Sequence, residues 1–402
     1  MSASLGPRFQ TLLASAWISK REASKYFQEY IKRIRAESAG GAKSQQPQHF
    51  APPIQVQVLE VSEGTPYETL DAINGGEDSL FHARLKQNLV FGVSDGVGGW
   101  NESGIDPSIF SRTLTAYSAK AVSESFLLHD SDDVDPKDVM RRAFAGMRVD
   151  QVQAYGSATE LILSLCLGSG KLRTAQLGDS TYVVLEDAGG EQKARFVSAE
   201  QQHRFNMPYQ LTIPPLEISP NKKPEQTDPE SAQFYRPRQR TEEDRRLIDE
   251  DGFVDLTAVG YDTPMDARED THQLKHNDLV VAATDGLYDN VRVDEVEKLA
   301  ERFMQAIHKT MRTTTANASQ NPTKQMAMAS DLFGGLAYSI AAQAVANYLQ
   351  DDLRSPFAER AKVAGYNFTG GKPDDVTVML AWVRETAKVD AQAKLAAMSA
   401  KL

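Results

Sequence analysis

The stretch LFHARLKQNLVFGVSDGVGG, residues 80–99, holds two short apolar runs separated by a polar turn. Leu80 to Leu85 and Leu89 to Val93 have the length and composition of strands, and the residues between them are typical of a hairpin loop. The glycine-rich segment 94–99 follows, and its backbone freedom ends the second strand. We therefore predict an antiparallel hairpin with Asp95 immediately after its second strand.

Farther along the chain, helix and strand patterns alternate. Apolar residues recur at helical spacing from Phe110 to Leu128 and from Val139 to Met147, and Pro136 suits the start of the second helix. Continuous apolar runs predict strands at 161–167, 172–177, 279–283 and 376–383, with helix-rich regions near 293–308 and 330–351. This order of elements predicts an α+β fold in which stacked sheets are flanked by helices.

Acidic side chains recur at the ends of these predicted strands. Glu77 and Asp78 stand just before the hairpin and Asp95 just after it; antiparallel pairing, with residue 79 near residue 94, should bring them together. The other acids at strand ends are Asp179, Asp285, Asp374 and Asp375. Because strand ends of a layered fold can meet along one rim, we expect these carboxylates to lie close enough to share a cation.

Carboxylates crowded in this way repel one another or take up protons, unless divalent cations neutralise them. Oxygen ligands without nearby His or Cys favour Mg²⁺ or Mn²⁺ over Zn²⁺. Gly96 and Gly286 each follow an aspartate, and we expect them to leave room for a carbonyl ligand and for substrate. Two such ions activate a bridging water, so the pattern is typical of phosphomonoester hydrolysis. Taken singly, each acid is more typical of a turn or a loop cap.

The composition excludes several other classes of function. The 55 Asp and Glu residues outnumber the 44 Lys and Arg residues, and the formal net charge of −11 argues against a nucleic-acid surface. One Cys rules out a disulfide framework and a cysteine-ligated zinc site, and the seven His residues lack metal-ligand spacing. The segment 96–99 lacks the Lys and Ser or Thr of a P-loop. No apolar run reaches the length of a membrane span.

The N-terminal region differs from the acidic body of the chain. Residues 1–21 contain no acid, and they carry Arg8, Lys20 and Arg21. Apolar residues recur there at helical spacing, namely Leu5, Phe9, Leu12, Leu13 and Trp17. This pattern is typical of an amphipathic mitochondrial presequence, with a solvated surface helix as the alternative.

These patterns predict a division of the chain into three parts. We expect residues 1–53 to form a leader and a linker, residues 54–385 to form the folded domain, and residues 386–402 to form a C-terminal tail. Irregular composition predicts insertions near 219–250 and 309–325.

Six motifs, taken together and in order, resemble those of the metal-dependent Ser/Thr protein phosphatases of type 2C, the PPM family. They are GEDS (76–79), FGVSDGVGGW (91–100), GSAT (156–159), LGDS (177–180), ATDGLYDN (283–290) and GGKPDDVTV (370–378). Three more stretches resemble the mitochondrial PTC7-like branch, which is linked to coenzyme Q biosynthesis: GIDPSIFSR (104–112), QQHRFNMPYQL (201–211) and SPFAERA (355–361). The resemblance implies a four-layer α-β-β-α sandwich with two mainly antiparallel central sheets.

The resemblance also implies a role for each acid. Asp95 matches the acid that bridges two Mn²⁺ or Mg²⁺ ions, and the carbonyl of Gly96 is a further ligand. Glu77 matches a ligand of one ion, while Asp285 and Asp374 match ligands of the other ion.

Three more acids have supporting roles in the same resemblance. Asp78 resembles a position that orients metal-bound water and so joins Asp95 as a catalytic residue. Asp179 resembles an acid of a weaker third-metal site, and Asp375 resembles a residue that supports the ligands.

One position departs from the family pattern. Many eukaryotic members carry a phosphate-binding Arg four residues before the glutamate of the first motif, and this chain has Ile73 there. A metal ion, a backbone N–H or another basic residue must then hold the phosphate. Arg84, Lys86 and Arg112 are the side chains that the sequence offers for this role.

Three further side chains are more typical of structure than of catalysis. His203 has the setting of a hydrogen-bonded loop histidine, with general acid as the alternative. Cys166 lies in an apolar strand and is expected in the core. Trp100 is expected either to pack in the fold or to form a wall of the active-site cleft.

The sequence thus predicts a Mn²⁺- or Mg²⁺-dependent phosphoserine and phosphothreonine phosphatase of the mitochondrial matrix. We expect a monomer that acts on phosphoproteins, without a nucleic-acid partner or a transmembrane span. Two alternatives remain: a pseudophosphatase that serves as a regulatory scaffold, and a phosphatase of small phosphorylated metabolites.

Overall fold

The computed structural model describes residues 9–39, 51–61, 68–129, 134–150, 152–215, 261–313 and 322–386. In these residues the strands, numbered in chain order, are β1 Phe9–Ile18, β2 Gln55–Val61, β3 Glu68–Gly75, β4 Asp78–Arg84, β5 Asn88–Asp95, β6 Gly156–Ala158, β7 Glu160–Cys166, β8 Lys171–Leu177, β9 Thr181–Asp187, β10 Gln192–Val197, β11 Gln202–Arg204, β12 Met207–Pro208, β13 Leu211–Ile213, β14 Arg268–Gln273, β15 Leu279–Ala283 and β16 Val376–Glu385. The α-helices are α1 Lys20–Ala39, α2 Pro107–His129, α3 Pro136–Val149, α4 Asp285–Tyr288, α5 Val293–Thr313, α6 Pro322–Tyr348 and α7 Pro356–Val363, with 3-10 helices at Gly98–Ser103 and Pro264–Asp266.

Two six-stranded sheets form the centre of the fold. The first sheet has the order β10-β9-β15-β16-β1-β2, and the second has the order β14-β8-β7-β5-β4-β3. All neighbours within them pair antiparallel. Two short pairs, β11 with β12 and β6 with β13, lie outside these sheets.

Three apolar layers hold the sheets and helices together. One layer lies between the two sheets and contains Phe91, Leu163, Val280 and Met379. A second layer packs the outer face of the first sheet against α5 and α6, and a third packs the outer face of the second sheet against α2 and α3. The arrangement is therefore a four-layer α-β-β-α sandwich, which confirms the predicted α+β fold class.

The hairpin of β4 and β5 forms in the expected register. Ser79 pairs with Ser94, and Asp78 pairs with Asp95 at the open end of the hairpin. The predicted helices are present as α2 and α3; Asp135 caps α3 by accepting from the N–H groups of Lys137 and Asp138. The strong core strands of the sequence are present as β7, β8, β15 and β16.

The N-terminal prediction is wrong for residues 9–18, which form strand β1 rather than an amphipathic helix. This strand pairs with β16 over its whole length, from Phe9 opposite Glu385 to Ile18 opposite Val376, and it pairs with β2 on its other side. Phe9 and Leu13 face the layer between the sheets, while residues 12, 14, 16 and 18 face the helical layer. Since both faces are buried, the strand has no polar face that would have distinguished it from a helix.

The domain therefore begins before residue 54. The expected insertion at 309–325 is shorter than predicted, because α5 continues to Thr313 and α6 begins at Pro322. The whole segment 219–250 and the tail after residue 386 lie outside the described residues, as do residues 1–8. Within the described ranges, no helix is both long and apolar enough to cross a membrane.

Candidate active site

Carboxylates from both sheets meet at one edge of the sandwich. Asp78 and Asp95 lie opposite each other where β4 begins and β5 ends. Asp285 is the first residue of α4, directly after β15, and Asp374 precedes β16. We call the set Glu77, Asp78, Asp95, Asp179, Asp285 and Asp374 the acidic site. The expectation that strand ends bring these acids to one rim is met.

Hydrogen bonds join the two sheets at this edge. The hydroxyl of Thr284 donates to Oδ2 of Asp78 over 2.8 Å, and the N–H of Thr377 donates to the same hydroxyl over 3.1 Å. The N–H of Glu77 donates to Oδ2 of Asp375 over 2.5 Å. Asp375 therefore supports the loop that carries Glu77, in agreement with the supporting role that the sequence predicted for it.

The electrostatics of the acidic site favour protonation or cation binding. Burial raises the pKa of Asp95 well above its ordinary value, and repulsion from Asp285, Asp78, Asp374 and Asp179 raises it further. Carboxylates that change one another's pKa values in this way titrate as a group rather than one by one.

The other aspartates shift in the same direction. Burial is the largest cause in each case: it raises the pKa of Asp78 together with repulsion from Asp375, and the pKa of Asp179 together with repulsion from Asp285. Burial also raises the pKa values of Asp285 and Asp374, although Lys372 partly opposes the shift in both. A divalent cation would reverse these shifts.

Lys372 lies among the acids of the first sheet. Its ammonium nitrogen is 2.5 Å from Oδ2 of Asp285, 2.7 Å from Oδ2 of Asp289 and 3.1 Å from Oδ2 of Asp374. Burial alone would lower the pKa of Lys372, but the carboxylates outweigh it and raise this pKa well above its ordinary value. The ring of Phe357 lies 5.1 Å from the same nitrogen.

A second lysine reaches the acidic site from the N-terminal region. The ammonium of Lys20 is 3.0 Å from Oε2 of Glu77 and 3.8 Å from Oδ1 of Asp374. The other carboxylate oxygen of Glu77 accepts from the side-chain amide of Asn101 over 2.7 Å. Burial acts to lower the pKa of Lys20, yet Asp374 and Glu77 raise it above its usual range.

Asp179 approaches from the turn between β8 and β9. Its side chain is 5% exposed, and Oδ2 accepts from the amide of Gln202 over 3.2 Å. The same amide donates to Glu200 over 3.1 Å. Asp179 thus belongs electrostatically to the acidic site, since it raises the pKa of Asp95, while its hydrogen bond ties it to the segment around Gln202.

Gly96 and Gly286, the two glycines that follow aspartates, are required for steric reasons that the sequence did not reveal. A Cβ on Gly96 would lie 2.6 Å from the carbonyl oxygen of Pro107, and one on Gly286 would lie 1.9 Å from the carbonyl oxygen of Asp375. The N–H of Gly96 donates to the carbonyl of Glu77 over 3.0 Å. Close backbone packing therefore requires glycine at both positions, and the role of the Gly96 carbonyl as a ligand stays a prediction.

The donor set fits hard divalent cations. It is made of carboxylates, and Oδ1 of Asp285 is buried without a hydrogen-bond partner among the described residues. Within that part of the chain, however, no three acid, histidine or cysteine side chains are already arranged around one ion. The two ammonium groups lie among the same oxygens instead. Metal binding would therefore require these carboxylates to exchange lysine contacts for metal contacts.

The side chains suggested as replacements for a phosphate-binding Arg are poorly placed. Arg84 and Lys86 lie at the turn end of the β4–β5 hairpin, about 20 Å along the strands from Asp78 and Asp95. Arg112 is closer, but its guanidinium turns back to the carbonyl and hydroxyl of Ser108, at 2.9 and 3.2 Å. The hypothesis that another basic side chain holds the phosphate is therefore wrong for Arg84 and Lys86.

The remaining residues singled out in the sequence are held in structural contacts. His203 lies 2.9 Å from a carboxylate oxygen of Asp262 and stacks on Tyr209. Trp100 is buried and donates from Nε1 to the hydroxyl of Ser157 over 2.7 Å. Cys166 ends β7 in a half-buried position, so it is less enclosed than predicted.

Sequence reasoning missed Lys20, Lys372 and Asp289. Signals existed for two of them: Lys372 stands two residues before Asp374, and Asp289 follows Asp285 by one helical turn. Lys20 carried no such signal, because its contacts join residues 57 and 354 positions apart in the chain.

A cleft of about 640 Å³ opens beside Glu77. The start of α1 lines part of its wall. The lining side chains are Ser19, Lys20, Arg21, Glu22 and Lys25 from this region, with Glu77, Asp106, Ser108 and Asp375 from the rest of the fold. The cleft lies next to the acidic site and is large enough for a phosphorylated side chain with neighbouring residues.

Comparisons with known proteins agree with this geometry. No protein-family model matches the chain. The human protein phosphatase PTC7 homolog is 32% identical over 314 residues, which are 77% of this chain and 80% of that protein. The 5-azacytidine resistance protein azr1 of Schizosaccharomyces pombe is 28% identical over 355 residues, which are 88% and 92% of the two chains.

A solved structure shows the same fold. The photosystem II phosphatase PBCP matches 80% of this chain and 99% of its own, with a TM-score of 0.51 and 23% identity. The chain therefore belongs to the PPM, or type 2C, family of protein phosphatases, in the branch of the PTC7 homologs.

Proposed function

We propose that this protein hydrolyses phosphoserine and phosphothreonine in proteins, with water activated by divalent cations at the acidic site. One observation supports this most directly: acids from both sheets meet at one edge of the sandwich, where burial and mutual repulsion raise the pKa values of Asp78, Asp95 and Asp179. The kinship with protein phosphatases gives the same reaction class.

Glu77, Asp95, Asp285 and Asp374 would hold two Mn²⁺ or Mg²⁺ ions, with the carbonyl of Gly96 as a further ligand and Asp179 at a weaker third site. Such ions lower the pKa of a bound water and neutralise charge on phosphoryl oxygens.

The other residues of the chain would prepare this donor set. Thr284 orients Asp78, and Asn101 orients Glu77, each through a hydrogen bond of 2.7 to 2.8 Å. Asp78, fixed in this way, would accept a hydrogen bond from the attacking water. The cleft beside Glu77 would admit the phosphorylated side chain from solvent.

The test is hydrolysis of phosphoserine and phosphothreonine peptides by the purified full chain, with Mn²⁺, with Mg²⁺ and with a chelator. We expect turnover only with a metal, and we expect Asp95→Asn to lower kcat by two or more orders of magnitude. Asp331→Asn, at an exposed position of α6, is the matched control. Turnover in chelator, or an unimpaired Asp95→Asn enzyme, would refute the mechanism.

A regulatory scaffold without strong catalysis is the second candidate. The observation in its favour is that Lys20 and Lys372 already neutralise part of the acidic site, so the fold depends less on bound metal for charge balance. Calorimetric titration of the apo protein with Mn²⁺ separates the two. Binding without turnover on any phosphopeptide favours the scaffold.

The mitochondrial matrix location and a role in coenzyme Q biosynthesis belong to the same proposal, and the similarity to PTC7 homologs supports them. Because residues 9–18 are part of the central sheet, a targeting signal cannot include them and leave the fold whole after cleavage. A fluorescent reporter at the C-terminus of the full chain would locate the protein. A diffuse cytosolic signal would refute the matrix location.

A further inference from the structure

The corner between β1 and α1 is fixed to the acidic site through its backbone. The N–H of Lys20 donates to Oδ1 of Asp375 over 2.6 Å, and the N–H of Glu77 donates to the other oxygen of the same carboxylate. Ser19 and Glu22 cap the start of α1 by bonding to each other. The Cα of Lys20 is therefore held beside Glu77 whatever its side chain contacts.

The side chain of Lys20 can reach both the acidic site and the solvent. Its ammonium contacts Glu77 at 3.0 Å, yet 41% of the side chain remains exposed, on the wall of the cleft. Lys372, by contrast, is 17% exposed and is enclosed by three carboxylates. Of these two lysines, Lys20 is the one that an incoming anion can meet without displacing a buried ion pair.

A phosphoryl group carries up to two negative charges into a site already rich in carboxylates, so it requires a cation beyond those that balance the acids. Lysine serves phosphate as a point charge with three donors and needs no fixed geometry. Arg21 and Lys25 line the same cleft and add positive charge to it, beside the carboxylates of Glu22 and Asp106.

We propose that Lys20 binds the phosphoryl group of the substrate, in the place of the arginine that the family pattern would put at residue 73. The ammonium exchanges one anionic partner, Glu77, for another, a phosphoryl oxygen. This inference rests on the proposed function for the identity of its ligand.

The test uses a peptide whose phosphoserine ester oxygen is replaced by a methylene group, so that binding is measured without turnover. Calorimetry compares the full chain with Lys20→Met, Lys20→Arg and the control Lys32→Met, each with Mn²⁺. Lys32 is exposed on the same helix, about 18 Å farther along its axis. The unphosphorylated peptide is titrated in parallel.

Loss of a charge-assisted contact should raise the Kd of Lys20→Met by roughly tenfold or more for the phosphonate peptide alone. Lys20→Arg should stay within about threefold of the wild type, and Lys32→Met should be unchanged. An unchanged Kd for Lys20→Met would overturn the proposal, and so would an equal loss for the unphosphorylated peptide. Tighter Mn²⁺ binding with unchanged peptide binding would identify Lys20 as a competitor of the metal instead.

Hydrolysis of the natural phosphopeptide is measured on the same variants, so that the two proposals fail in different ways. Turnover by the wild type with an unaffected KM in Lys20→Met would refute the role of Lys20 and leave the phosphatase function standing. Selective phosphonate binding through Lys20 without turnover by the wild type would refute the phosphatase function and leave the binding role standing.

Discussion

Lys372 places its ammonium nitrogen 2.5 Å from Oδ2 of Asp285, at the point where α4 follows β15. The same nitrogen contacts Asp289, which also pairs with Arg360, and Asp374, which also lies near Lys20, so Asp285 is the carboxylate of the three that depends most on Lys372. It acts as an internal counter-ion for the first sheet's half of the acidic site. Removal of Lys372 should therefore lower the stability of the fold most when no metal is present.

We expect Lys372→Met to lower the free energy of unfolding in chelator by about 3 kcal/mol or more, because it leaves buried charge unpaired. Saturating Mn²⁺ should restore part of this loss, since the freed oxygens of Asp285 and Asp374 favour cations. Urea unfolding in chelator and in Mn²⁺ measures both effects. Lys298→Met removes only an exposed helical pair with Asp294 and should leave the stability nearly unchanged. Equal stability of Lys372→Met and wild type in chelator would contradict this interpretation.

Gly286 lets α4 lie directly against the start of β16. An added methyl group would lie 1.9 Å from the carbonyl oxygen of Asp375, and backbone cannot move aside as a side chain can. We expect Gly286→Ala to destabilise the fold by about 3 kcal/mol, at the upper end of overpacking effects, and to impair metal binding through displacement of Asp285.

Chemical unfolding and Mn²⁺ calorimetry check the prediction for Gly286→Ala. Gly335→Ala in α6 is a suitable comparison, because its Cβ would meet only the ring of Phe303, at 3.1 Å. The higher helix propensity of Ala should offset the steric cost of that contact, so the free energy of unfolding should remain within about 1 kcal/mol of the wild-type value. A Gly286→Ala protein as stable as Gly335→Ala would show that the strand and helix can separate freely.

The sequence predicted the hairpin, its register and the meeting of Asp78 with Asp95, since all three depend on two short apolar runs, the polar turn between them and antiparallel pairing. It misassigned β1 because a strand buried on both faces lacks the alternation that separates strand from helix. It missed Lys20 because nothing local marks a side chain whose partners, Glu77 and Asp374, lie on other elements. The charge of the site is thus balanced by contacts between residues that lie far apart in the sequence.

Strand β1 should be essential to the fold, in contrast to a leader that processing removes. It lies between β16 and β2 and pairs with both, so a chain that begins at residue 54 lacks the strand that joins them. We expect this truncated protein to lack cooperative unfolding. Circular dichroism during urea titration measures it, and a cooperative transition like that of the full chain would contradict the assignment of β1 to the domain.

A point variant tests the same strand in the full chain. Leu13 is 2% exposed between the two sheets, so Leu13→Ala should reduce the free energy of unfolding by about 3 kcal/mol. Val363 is 92% exposed, and Val363→Ala should have almost no effect. If both variants matched the wild type in urea, β1 would not be packed in solution as it is in the structure.

Glu160 gives the fold a dependence on pH that lies outside the acidic site. Its side chain is fully buried in β7 and accepts a 2.5 Å hydrogen bond from Ser118, while Oε2 has no partner among the described residues. Burial raises the pKa of Glu160 to about 8, from 4.5 in a solvated chain. The folded protein therefore retains a proton here that the unfolded chain releases.

The sign follows from proton binding: between pH 4.5 and 8 the native state binds more protons at this residue, so stability falls as pH rises. From pH 5.5 to 8 this single residue should remove roughly 3 kcal/mol from the free energy of unfolding. Glu160→Gln cannot ionise, so between pH 5.5 and 8 its free energy of unfolding should fall by roughly 3 kcal/mol less than that of the wild type. Urea unfolding at several pH values measures the difference.

The control is Glu102→Gln, at an exposed position, whose free energy of unfolding should depend on pH as that of the wild type does. Parallel pH profiles for Glu160→Gln and the wild type would mean that the native state holds Glu160 ionised, with water or a rearranged Ser118 stabilising the charge.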